Sequence, residues 1–361
     1  MSEPLFNKLE QICFVVGDLY KAMDLFIGYG IGPFKIMRFG DAGDGNANTV
    51  SIENVKLHGR DTGTYSIIVG LCMLPESGVE LELIQPLTGE SIFAEYLREH
   101  GPGIQHLSIS HVPFDEAIAR IEATGHEISQ IATVDTVETC VFSDHRDVIG
   151  SYLELHKRPE DFQMPDIEDE YYPEGGVMPE GVTPMFSEFN QLGIVVEDMD
   201  EAIHRLNDDY GIGPWIIMDF GDTGRGDNHA SLDNCRRNGE KTEDYSLHGA
   251  LCNLLNVQLE MLQTVKHGSG HEEHFKKHGP DIHHVSLTQL QSYEDCVDRM
   301  AKAGNDDCWT CNIDVTETCN MCFHETLGIF FETHKRPDPF VPPEIEIETY
   351  PAGLDLKLEV K

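Results

Sequence analysis

Apolar and polar residues alternate along short runs of this chain, and after some of these runs the period lengthens to that of a helix. EQICFVVGDLYKAMDLF reads as a strand running into an amphipathic helix. IQHLSISHVPFDEAIARIEATG reads the same way, with Pro113 near the helix start and Gly125 closing it. Runs of strand character follow each unit: PFKIMRF, TVSIENVKL, YSIIVGLCM and VELELIQP after the first, EISQIATV, ETCVFSD and SYLELHK after the second. A further helix is expected near Ile92–His100. The order is βαβββ, repeated, which predicts an α+β fold with helices over one face of curved, mainly antiparallel sheets.

The whole pattern is then written a second time. FNKLEQICFVVGDLYKAMDLFIGYGIGPF at Phe6 recurs as FSEFNQLGIVVEDMDEAIHRLNDDYGIGPW at Phe186, and GPGIQHLSIS at Gly101 as GPDIHHVSLT at Gly279. SYLELHKRP at Ser151 recurs as IFFETHKRP at Ile329, and the tails IEDEYYPEG and IEIETYPAG also match. The chain is a tandem duplication. Its expected units are residues 1–175 with an acidic tail, a linker at 176–184 (GVMPEGVTP), and residues 185–361 with a second acidic tail.

A length of 361 residues suits two domains, and 40% hydrophobic with 25% charged residues is globular composition. Acidic residues number 64 against 25 basic ones, a formal net charge of −39. Nucleic acid and anionic membranes would repel such a surface, so neither is expected as a partner. A coenzyme A thioester would need a basic local patch. Only short clusters offer one: Arg236-Arg237, His156-Lys157-Arg158 and His334-Lys335-Arg336. No apolar run reaches the ~20 residues of a membrane span, and the start MSEPLFNKLE has no secretory character. Ten cysteines without a signal suggest a reducing cytoplasm. Cys308, Cys311, Cys319 and Cys322 have the look of paired zinc knuckles, but in a β-hairpin residues three apart face opposite ways, so buried apolar cysteines are expected.

The candidate chemistry lies in the strands. In Val79-Glu80-Leu81-Glu82-Leu83 alternation puts both glutamates on one face; the twin strand Val257-Gln258-Leu259-Glu260-Met261 keeps only the second. Glu154 and Glu332 match in the last strands, His106 and His284 match in another pair, and Gln11 matches Gln191 in the first. A carboxylate in an apolar strand is costly unless it meets solvent, a partner or a cation. Each half thus supplies Gln, Glu, His and Glu, and three oxygen donors with one imidazole suit a divalent cation that keeps open positions.

With these residues the sequence resembles the vicinal oxygen chelate superfamily, which includes glyoxalase I, methylmalonyl-CoA epimerase, extradiol dioxygenases and bleomycin-resistance proteins. The module starts EQICFVVGDL and NQLGIVVEDM, and the openings GPGIQHLSIS and GPDIHHVSLT, carry the likeness over nearly the whole chain. The resemblance implies four βαβββ modules forming two cup-shaped mixed sheets. It implies metal ligands at Gln11, Glu82, His106 and Glu154, and again at Gln191, Glu260, His284 and Glu332. Zn, Ni, Co or Mn is the expected ion, because glutamine at the first position in both halves counts against iron-dependent ring cleavage. The implied activity is that of a racemase, epimerase or isomerase moving a proton alpha to a carbonyl. Glu154 and Glu332 are the preferred bases, with Glu82 and Glu260 as rivals. A glyoxalase I-like lyase, a metal-dependent dioxygenase and a non-catalytic sequestering protein are the alternatives. The acidic chain favours an uncharged substrate such as a phenolic ketone. GYGIGPF, DYGIGPW, Tyr65 and Tyr245 are candidates to line the cup, with packed aromatics and turn glycines as their other reading. The protein is expected as a monomer or homodimer, with modules pairing inside one half or across the two.

Overall fold

A computed structural model describes residues 3–163, 165–225, 229–266, 268–305, 307–341, 345 and 347–357. In each half the described strands join into a single curved sheet. From edge to edge the first runs Glu170–Tyr172, Phe34–Phe39, Ser66–Met73, Glu80–Thr88, Phe6–Val15, Gly103–His111, Ser151–Lys157, Glu138–His145, Ile128–Val134, Ile52–Leu57 and Arg60–Asp61. The second repeats that order in reverse listing: Glu240–Lys241, Leu232–Arg237, Asp307–Ile313, Thr316–Cys322, Phe330–Lys335, Asp281–Gln289, Phe186–Val195, Gln258–Lys266, Ser246–Asn253, Trp215–Phe220 and Glu348–Tyr350.

The two modules of a half meet through their first strands. Phe6–Val15 pairs in parallel with Glu80–Thr88 and antiparallel with Gly103–His111, and Phe186–Val195 does the same with Gln258–Lys266 and Asp281–Gln289. Pairing is therefore local to each half. One strand departs from the simple βαβββ reading. Ile52–Leu57 leaves its own module and pairs with Ile128–Val134 of the next, as Leu232–Arg237 pairs with Asp307–Ile313. Its apolar side chains explain the detour, since Ile52, Val55 and Leu57 are buried inside the curl with Tyr65, Val69 and Phe142.

Helix starts are set by side chains that alternation alone does not reveal. Asp18 and Asp198, at matching places, accept from the backbone N–H of Lys21 and Glu201, satisfying donors that the first turn leaves free. Ser91 and Ser269 do the same for the helices Ile92–Glu99 and Gly270–His278. In the helix Leu19–Gly28, Leu19, Ala22, Met23, Phe26 and Ile27 form one buried stripe, the spacing that 3.6 residues per turn requires.

Burial on the two faces of each sheet serves different ends. The outer faces and the helices Leu19–Gly28 and Met199–Tyr210 form one core that runs through both halves, whereas Ile92, Phe93 and Tyr96 pack into the inner cluster of the first half. Phe26 packs against Phe189 at 6.4 Å and Phe331 at 5.9 Å between ring centres, so the halves share their largest apolar side chains. Tyr29 and Tyr210 of the two YGIGP segments belong to this shared core rather than to the cups. Tyr65 and Tyr245 do lie in the inner clusters. The cysteine-rich hairpin Asp307–Ile313 with Thr316–Cys322 points Cys311 inward and Cys308 outward, and no zinc-knuckle geometry forms among these residues.

Candidate metal centre

Strand register brings the expected residues together in two rows on the inner face. In the first half Glu82, Cys13 and His106 are neighbours across three strands, and one step along lie Glu80, Gln11, Ser108 and Glu154. In the second half the rows are Glu260, Gly193 and His284, then Gln258, Gln191, Ser286 and Glu332. Neighbouring strands lie ~5 Å apart, close enough for side chains of one row to converge.

At the centre of the first cup, His106 Nε2 faces Glu82 Oε2 at 3.3 Å and Glu154 Oε2 at 3.4 Å. The other ring nitrogen is 2.6 Å from Gln105 Oε1, which only accepts, so Nδ1 carries the proton. Nε2 is then a buried lone pair without a hydrogen-bond partner, looking at two carboxylate oxygens. The second cup repeats this: His284 Nε2 lies 3.3 Å from Glu260 Oε2 and 3.6 Å from Glu332 Oε2, and it too has no hydrogen-bond partner. Three electron-rich atoms converging in a buried place repel one another unless a cation joins them. The donor set fits a divalent ion.

Gln11 and Gln191 are not gathered into these triads. Gln11 Nε2 donates to Glu80 Oε2 at 2.5 Å, and Gln191 Nε2 to Gln258 Oε1 at 2.7 Å, one row away. Each sits on the cup floor beside the glutamate–histidine cluster, tethered by the neighbour at the matching position of the adjacent strand.

The electrostatics of the cluster are set by histidines that the sequence reading took only as part of a basic segment. Glu154 would be raised by burial, but His156 and His106 pull it well below the ordinary carboxylate range. Glu332 is lowered in the same way by His334 and His284 against its burial. His106 itself, disfavoured as a cation by burial, is pushed up to about 9 by Glu154 and Glu82, so Nε2 is a lone pair only in the neutral ring, and between the carboxylates it takes either a proton or a metal cation. His156 bridges two carboxylates, with Nε2 3.2 Å from Glu154 and Nδ1 2.8 Å from Glu138, and Arg158 also pairs with Glu138. Alternation contained this signal: Glu154 and His156, like Glu332 and His334, are two apart in a strand and share a face.

Besides Glu80, which is Gln258 in the second half, several positions differ between the two cups. Cys13 of the first is Gly193 in the second, where a Cβ would lie 1.9 Å from His284 Cε1. Phe142, which packs edge-on to the His106 ring at 5.1 Å, is replaced by Asn320, which donates to Glu332 Oε1 at 3.1 Å. Glu138 is replaced by Thr316. A cavity of about 90 Å3 opens in the second cup, walled by Met218, Phe220, Leu251 and Phe340 and floored by Gln191, Glu260 and Glu332.

Comparison with known proteins agrees with this architecture. The sequence model of the Glyoxalase/Bleomycin resistance protein/Dioxygenase superfamily matches residues 10–138 and again 190–310. A mutant of 4-hydroxymandelate synthase from Streptomyces coelicolor superposes with a TM-score of 0.55 at 10% identity, covering 92% of this chain and 93% of that one. At that identity the likeness is one of fold. A fusion of a xylose isomerase-like TIM barrel with 4-hydroxyphenylpyruvate dioxygenase gives 0.47 at 10% identity, over 95% of this chain and 51% of that one. Methylmalonyl-CoA epimerase from Mycobacterium tuberculosis gives 0.32 at 20% identity, over 44% of this chain and 93% of that one. No curated protein sequence matches the chain. Among the described residues no helix is long and apolar enough to cross a membrane.

Proposed function

The chain belongs to the Glyoxalase/Bleomycin resistance protein/Dioxygenase superfamily, and we propose that it is a metal-dependent isomerase that moves a proton alpha to the carbonyl of a small substrate. The observation carrying this reading is the partnerless Nε2 of His106 and of His284, each facing two carboxylates. Glu82, His106 and Glu154 would hold one ion, and Glu260, His284 and Glu332 the other, with Gln11 and Gln191 beside them. A divalent ion there supplies Lewis acidity, which polarises a carbonyl oxygen and acidifies the neighbouring C–H bond.

The protein's own groups then divide the work. Glu332 is fixed by a hydrogen bond from Asn320 and by the ion pair with His334, so it stays anionic and in place. Glu260 has fewer restraints and borders the cavity, which makes it the better proton acceptor. This reverses the preference that sequence alone suggested for Glu332, because partners hold the latter carboxylate. Having taken the proton, the Glu260 carboxylic acid returns it from its own side, so delivery to a neighbouring substrate carbon gives the isomer and return to the same carbon gives no net change. Met218, Phe220 and Leu251 keep water from the basic carboxylate.

Elemental analysis of protein purified without chelator, followed by C–H exchange of candidate carbonyl compounds in deuterated water, tests the reading. Bound divalent metal together with solvent deuterium at the carbon alpha to the carbonyl is the expected result. Oxygen consumption without exchange would replace it with a dioxygenase, and turnover of a hemithioacetal with a glyoxalase-like lyase.

A further inference from the structure

Arg336 stands in the wall of the second-cup cavity with its Nε buried and without a hydrogen-bond partner. Its guanidinium carbon lies 5.6 Å from the centre of the Phe340 ring, and among the described residues it makes no ion pair. Its twin in the first cup is different. Arg158 sits over the Phe162 ring at 5.0 Å in the same way, but its Nε is taken by Glu138, which also holds His156. The residue matching Glu138 is Thr316, and Thr316 lines the same cavity as Arg336. One substitution between the halves therefore removes the internal carboxylate and leaves the cation.

We propose that the second cup binds a carbonyl compound bearing a carboxylate at the end remote from the reacting carbon, with Arg336 as the group that receives this carboxylate. The inference rests on the metal-dependent reading for the location of the reacting end, at Glu260, His284 and Glu332. Glu332, His334 and Arg336 alternate along one strand and its end, so the cluster and the guanidinium are separated by roughly 13 Å of backbone. Met218, Phe220, Leu251 and Ile313 between them require an apolar body. A guanidinium edge matches a carboxylate in geometry and charge, and one arginine in a cup that also holds Glu260 and Glu332 suits a monoanion better than a phosphate dianion. Burial draws Arg336 below the ordinary guanidinium pKa, and the charge of Glu332 offsets only part of that cost. The overall charge of −39 favours an uncharged ligand at long range, whereas the second cup supplies the opposite preference locally.

The test is calorimetric binding of 4-phenylbutyrate and of its amide to the full chain, after dialysis against chelator. Neither compound has a ketone, so the measurement reads the arginine end alone. The native chain should prefer the acid by about tenfold or more, as expected for a charge-assisted pair. Arg336→Gln should remove that preference. Thr316→Glu, which restores the carboxylate found in the first cup and keeps the arginine, should remove it too, so a folding defect in the first variant leaves the second decisive. Equal binding of acid and amide, no binding of the acid, or a preference that survives both substitutions would overturn the proposal. Metal content measured on the same preparations before the chelator step separates the two readings. A chain that never holds metal but still selects the acid refutes only the isomerase.

Discussion

Gly193 lies directly beneath His284, so close that a Cβ at this position would come within 1.9 Å of the imidazole Cε1. The residue is not here for a positive φ or a turn; it gives the histidine ring room to settle over the strand. Gly193→Ala should push the ring off the carboxylates of Glu260 and Glu332. Metal bound per chain should fall from about two ions to about one, read by elemental analysis, because the first cup is untouched.

The two glutamates of the second cup should separate by function. Glu260→Gln should reduce solvent C–H exchange by about 100-fold or more while weakening the second ion less than loss of Glu332 does, since the amide oxygen can still face the ion but cannot take the proton. Glu332→Gln should lose that ion, because it removes an anchored carboxylate ligand. Parallel metal analysis and exchange rates distinguish the outcomes, and equal metal loss in both variants would contradict the division of roles.

Acid should weaken the fold through histidines outside the cups. His145 is almost wholly buried, and burial together with the neighbouring His126 pushes its pKa down to about 3. An unfolded histidine titrates near ~6.5, so below that pH the unfolded chain binds the extra proton. Its contribution is complete above ~6.5 and is lost as pH falls toward 3, by at most about 1.4 kcal/mol per unit. Urea denaturation at pH 7.5 and pH 5 should show lower stability at pH 5, and His145→Gln should lessen the difference.

The shared core makes its own prediction. Phe26 is fully buried against Phe14, Phe34, Phe189 and Phe331, side chains from both halves. Phe26→Ala should destabilise the chain by about 3–5 kcal/mol, measured by urea unfolding. If the chain is cut near Gly181, each half keeps its own sheet pairing but bares this face. The two pieces should then copurify as one complex, and pieces that behave as separate soluble monomers would show that the common core contributes little.

Much of this architecture was legible because it depends on local periodicity. Alternation placed Glu82 and its twin on one strand face, and repetition together with the family resemblance pointed to His106 and His284, although repetition alone also keeps His156 and His334. What escaped depends on contacts between distant segments. Nothing local tells Ile52–Leu57 to leave its module, since that choice is made by the apolar interior it helps to fill. The tethering of Gln11 to Glu80 required strand register, which the sequence does not state. HKRP read only as a short basic cluster, yet its histidines turn toward Glu154 and Glu332, and Arg336 stands in a cavity wall.

Because both halves reside in one chain and share one core, their cups can be inherited separately. In a homodimer built from a single half, any change that removed Glu138 would remove it from both cups at once. Here the position exists twice in the chain, as Glu138 in one half and Thr316 in the other. The first cup can keep its closed Glu138–His156–Arg158 network and sustain the joint fold while the second acquires selectivity. Fusion thus turns symmetry into a division of labour that natural selection can refine one cup at a time.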